Sequence, residues 1–168
     1  ISKNIDAIST NFGSSIDTLK NNIKKTILLS SSDKSRVIQT PTKISLSILE
    51  NPIPSITFNK KNIPIAVLLS GSFTSVFKDR IAPKDKNINF KEFSDSTEII
   101  VISDADIIRN DISNKGIPLP LGYDKYINYT YDGNKKFILN AIQYLSDNDG
   151  LINLRSKTLK IRLLNMDL

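Results

Sequence analysis

Asp104 and Asp106, two residues apart and followed by Arg109, are the side chains best placed to do chemistry. Paired carboxylates can hold a hard divalent cation, and a neighbouring guanidinium can clamp an anionic group bidentately. Two acids supply fewer oxygens than the roughly six to eight that a calcium-type site takes, so no metal is assigned. Histidine and cysteine are both absent. That removes the commonest general base, the commonest transition-metal ligand, thiolate nucleophiles and disulfides. Carboxylate, Ser–Lys or Tyr chemistry remains, and the chain reads as a non-enzymatic protein without a cofactor.

The elements around these acids decide what they can touch. Ile99 to Ile102 is an unbroken apolar run, which predicts a strand buried on both faces. Ile107, Ile108 and Arg109 suit a short helix, so Asp104 and Asp106 sit where strand hands over to helix and a carboxylate can cap free N–H groups. In open α/β sheets, ligands bind outside the carboxyl ends of strands. Ile65 to Leu69 predicts a second buried strand ending at Ser70-Gly71, after which Phe73, Val76 and Phe77 keep helical spacing behind Ser72. One glycine does not make a phosphate loop. The two carboxyl ends together define a candidate binding surface of Phe73, Thr74, Asp104, Asp106 and Arg109. Tyr123 and Tyr126 extend it from a Gly- and Pro-punctuated loop that also holds Tyr129 and Tyr131. The alternative reading is structural: Asp104 caps the helix, Arg109 pairs with Asp106 or Asp111, and the tyrosines pack on their own domain.

Elsewhere, alternation over 8–17 predicts a strand that returns as a second strand over 23–30, forming a hairpin. Residues 30–36, SSSDKSR, read as a polar loop whose serines could also form an anion-binding turn. A half-exposed strand over 44–49, an extended Asn51-Pro52-Ile53-Pro54 connector and a surface excursion over 79–97 follow. The clearest helix is 134–146, with Phe137, Ile138, Ala141, Ile142 and Leu145 on one stripe, Asn134 as cap and Gly150 past its end. Leu159, Ile161 and Leu163 alternate as a last strand. The predicted class is α/β, a mixed sheet with flanking helices and β-hairpins. The 168 residues suit a single domain over 1–168. No apolar run reaches the roughly 20 residues of a membrane helix, and the opening Ile-Ser-Lys-Asn is no signal peptide, so the chain reads as a fragment of a larger domain. The net charge of +6 and pI near 9.4 come from scattered pairs such as Lys24-Lys25, Lys60-Lys61 and Lys135-Lys136. They predict a solvated surface rather than a nucleic-acid site.

The stretches IVISDADIIRND, IPLPLGYDKY, FILNAIQYL with its trailing DNDGLINLRSK, and LKIRLL resemble the GldG family of gliding-motility ABC transporter accessory proteins. NFGSSIDTLKNNIKKTILLSSSDKSR and IPIAVLLSGSFTSVFKDRI do so nearer the start, so the resemblance runs in order over nearly the whole chain. It implies the C-terminal half of the family's extracytoplasmic domain, on the periplasmic face of the inner membrane in Bacteroidetes-type bacteria. The membrane is reached only through anchors absent from this chain. The implied partners are the permease and ATPase subunits of the transporter, with another periplasmic protein as a further candidate. The implied fold resembles part of a class I glutamine amidotransferase-like domain, and the absence of Cys and His agrees with loss of that chemistry. Ser70 departs from the family's LLEG pattern, where an acid stands, which counts against a cation at that corner. The function expected is that of a non-enzymatic accessory or interaction domain. The alternative is a domain binding a sugar, peptide or lipid for the same transporter.

Overall fold

β-Branched and leucine-rich runs form the three strands of the main sheet: β1 (Lys24–Ser30), β2 (Pro64–Gly71) and β3 (Thr97–Ile102). The computed structural model describes residues 1–45, 50, 52–80 and 90–147. Among these the architecture is mixed α/β: two small antiparallel sheets and one α-helix, α1 (Asp132–Ser146). Residues 46–49 of the predicted 44–49 strand, the predicted strand over 159–163 and Gly150 lie outside the described residues. So do residues 81–89 of the predicted excursion. The chain divides into two compact units, Thr10–Asp106 and Ile1–Ser9 with Ile107–Leu168.

In the Thr10–Asp106 unit, β2 is the central strand, antiparallel to β1 on one side and β3 on the other. Its register sets Val67 between Ile27 and Val101, and Leu69 between Lys25 and Ile99. Ala66, Val67 and Leu68 are the buried core of the unit. Each such side chain contributes about 1.5–3 kcal/mol if fully withdrawn from water, somewhat less for alanine. The expectation that Ile99–Ile102 is buried on both faces is corrected, since Ile99 and Val101 keep 42% and 41% of their surface exposed. An unbroken apolar run fits a buried parallel strand, but β3 is an antiparallel edge strand, and edges stay wet on one side.

The predicted hairpin of 8–17 with 23–30 does not form. β1 pairs instead with β2, and Phe12, at φ +58 and 82% exposed, breaks the alternation. The segment still runs extended: Ile16 N donates to Pro64 O at 2.9 Å. Alternation shows that a stretch is extended, but not what it pairs with. The helix expected after Ser72 is also absent. Thr74 bridges Phe93 and a turn follows at 76–79, because Ser94 and Glu92 supply backbone partners that a helix start would have had to find locally.

In the second unit, Ile107, Phe137 and Ala141 are the buried apolar side chains. The 3-10 turn Ala105–Ile108 leads into it, as the short helix was expected to. Helix α1 starts at Asp132 after Tyr131, without a side-chain cap. Asn134 therefore lies inside the helix rather than capping it. Ile142 and Leu145, expected on the apolar stripe, are exposed. The Gly/Pro-punctuated loop contains a small hairpin of β4 (Tyr123–Asp124) and β5 (Tyr129–Thr130).

Candidate functional site

Among the described residues the buried polar side chains are Asp104, where the sequence looked for function, and Asn134, which it read as a helix cap. Asp104 follows the end of β3. One carboxylate oxygen accepts the N–H of Asp106 at 2.9 Å, and the other accepts the N–H of Asn11 at 2.6 Å. The first bond caps the 3-10 turn; the second ties down the segment preceding Gly13. A Cβ on Gly13 would lie 3.7 Å from the Asp104 Cβ, so the strap runs close against it. Both oxygens therefore serve the backbone of their own unit.

The antiparallel register separates the two halves of the expected surface. Ala66 pairs with Ile102 and Gly71 with Thr97, five residues along the ladder. Phe73 and Thr74 leave β2 at the Thr97 end, whereas Asp104 and Asp106 leave β3 at the other end. At about 3.4 Å per residue, that is about 17 Å of strand between them. Carboxyl ends share one edge only when strands are parallel. Phe73 is part of a separate bridge: its N–H donates to Ser94 Oγ at 2.9 Å, and Ser94 N donates to Phe73 O at 2.9 Å. Thr74 is exposed beside it, and Lys78 Nζ sits 4.2 Å from the centre of the Phe93 ring. Asp106 is half-buried in the first turn of the 3-10 segment.

Arg109, Tyr123 and Tyr126 belong to the other unit. Arg109 reaches the Asp111 carboxylate at 3.9 Å, with both side chains largely in water. Such a pair contributes about 0–1 kcal/mol. The hairpin is stiffened locally. Asp124 Oδ1 accepts the Tyr126 N–H at 2.8 Å, Tyr123 Oη bonds Asn128 Oδ1 at 2.9 Å, and Asn128 takes a left-handed φ of +51. Tyr129 and Tyr131 meet edge to face at 5.0 Å. Tyr126 points outward, 87% exposed, and Ile127 and Tyr129 are exposed near it.

Sequence reasoning missed the polar stitch at the start of α1. Asn134 Oδ1 accepts the Ser9 N–H at 2.8 Å, while its Nδ2 donates to Ser9 O at 2.8 Å and to Ile107 O at 3.3 Å. Gly133 beside it is required by space, since a Cβ there would lie 2.3 Å from the carbonyl oxygens of Asp6 and Ala7. The available signal was Gly-Asn in the first turn of an otherwise strong helix, two poor helix formers kept for what they touch. Among the described residues, no three acids gather in a way that could hold a metal ion. No described helix is long and apolar enough to cross a membrane.

The family model for an ABC-type uncharacterized transport system matches residues 1–141. No curated protein and no solved structure matches the chain.

Proposed function

We propose, because this chain belongs to the ABC-type uncharacterized transport system family of auxiliary proteins, that it is a non-enzymatic accessory domain working by protein contact. In this reading the transporter is of the gliding-motility-linked GldG kind. The domain lies on the periplasmic face of the inner membrane, and the permease and ATPase are its complex partners. Family membership over residues 1–141 is the observation that carries the proposal. Side-chain geometry supports it. Asp104 and Asn134, the buried polar groups named above, direct their hydrogen bonds to backbone within their own units. The groups that face outward on a firm support are Tyr126, Ile127 and Tyr129 of the β4–β5 hairpin. Aromatic side chains at the tip of a locally stiffened turn give contact area at small entropic cost.

The test is site-specific photo-cross-linking of the full-length protein in its own membrane, with the probe at Tyr126. The expected product is a conjugate with the transporter permease. Conjugates lacking any transporter component would reject the reading. A melting temperature raised by a particular sugar, peptide or lipid would replace it with a ligand-binding one, since ligand at 100 times its Kd adds about 2.7 kcal/mol.

A further inference from the structure

Cations that the sequence scatters meet in one lobe of the Thr10–Asp106 unit. Residues 31–38 and 55–63 run antiparallel there: Ser35 and Lys60 exchange both backbone bonds at 2.8 Å, and Asn62 N donates to Ser32 O at 3.1 Å. The pairing brings Lys34 and Arg36 alongside Lys60 and Lys61, against a single acid, Asp33, in the two segments. Lys34, Lys60 and Lys61 have no ion-pair partner among the described residues. The serines of the loop are occupied internally, Ser32 Oγ donating to Lys34 O and Ser35 Oγ to Ser32 O, each at 3.1 Å. The lobe therefore offers a spread of exposed ammonium groups on long stems rather than a built cradle for one anion.

Apolar side chains stand among these cations. Ile56, at the centre of the 3-10 turn Ser55–Thr57, is 85% exposed, and Val37 and Phe58 are exposed as well. The Arg36 guanidinium lies 5.8 Å from the centre of the Phe58 ring, which joins the basic and apolar parts into one surface. We propose that this lobe docks on the surface of a bilayer carrying anionic phospholipids. Lysines on long stems can follow headgroups that are not in fixed positions. Exposed aliphatic and aromatic groups beside them gain by entering the boundary between headgroups and acyl chains. A nucleic acid would reward cations, but Ile56 and Val37 can neither stack on a base nor hydrogen-bond to one. An acidic protein would reward cations too, and the experiment separates that case.

The experiment is co-sedimentation of the full chain with phosphatidylcholine vesicles, alone or with about one third phosphatidylglycerol. Expected is binding to the mixed vesicles only, weakened by raising salt from about 0.1 M to about 0.5 M. Lys60→Gln with Lys61→Gln lowers the partition coefficient about 25-fold, at about fivefold per cation. Ile56→Ser lowers it about tenfold at either salt, because the apolar part is not screened. Lys135→Gln with Lys136→Gln, exposed on α1 and equal in charge change, leaves it unaltered. All five positions are exposed, and unchanged melting curves confirm that the variants fold. No sedimentation with mixed vesicles, equal binding to neutral ones, or equal loss in the α1 variant overturns the proposal. So does preferential binding to soluble polyglutamate through the same lysines, which would assign the lobe to an acidic protein. None of these results bears on cross-linking at Tyr126, so the two readings fail separately.

Discussion

Asp104 and Asn134 sit in different units and do similar work by different chemistry. Asp104 is acceptor-only, and it gathers two backbone N–H groups, from Asn11 and Asp106. Asn134 both accepts and donates, so it closes the N–H and the C=O of Ser9 together, much as a strand neighbour would. Each takes the place of a missing ladder for a stretch of chain that no sheet includes. The difference teaches what each position tolerates. The first needs two acceptor oxygens; the second needs one oxygen and one amide nitrogen.

Substitutions can break that comparison in order of size. Gly133→Val places branched carbon against the Asp6 and Ala7 carbonyls and is expected to cost about 3 kcal/mol, read as a fall in the urea midpoint. A cost below about 1 kcal/mol would mean that the Ala7 segment is not held where the Asn134 stitch requires it. Asp104→Leu strands two N–H groups and removes a cap, for about 2–3 kcal/mol. Asn134→Asp keeps the acceptor but turns an amide donor into an oxygen facing Ser9 O, for about 2 kcal/mol. Asp104→Asn loses one of two acceptors and is expected to cost about 1 kcal/mol. If it costs as much as the leucine, charge rather than hydrogen bonding decides that position. Tyr126→Ala, at the exposed hairpin tip, should stay within about 0.5 kcal/mol while reducing partner capture. For a chain of this size, 1 kcal/mol moves the melting temperature by about 2–4 °C, so the three largest effects are resolvable by circular dichroism.

What was legible of the candidate surface was its local chemistry. A carboxylate at a strand-to-helix handover, Asp104, was readable as a cap because capping needs only neighbours in sequence. The second bond, to Asn11, was not, since its partner is 93 residues away. Tyrosines in a Gly/Pro-rich loop marked a contact candidate, but the outward turn of Tyr126 depends on the Asp124 and Asn128 bonds that shape the hairpin. Grouping Phe73 and Thr74 with the acids puts two carboxyl ends on one edge, which holds only where the strands are parallel. A run such as IAVLL reports burial, and burial is the same whichever way the neighbouring strand runs.

Residue order alone placed β1, β2, β3 and α1 and showed which side chains the chain lacks. These follow from periodicity, propensity and the side-chain inventory, all local quantities. Tertiary structure decided strand direction and partner, the separation of Phe73 from Asp104, the stitch at Asn134 and the meeting of Lys34 with Lys60. Each of those depends on contacts between residues far apart in the chain, where pairing energies of a few kcal/mol choose among arrangements that the same local pattern allows equally.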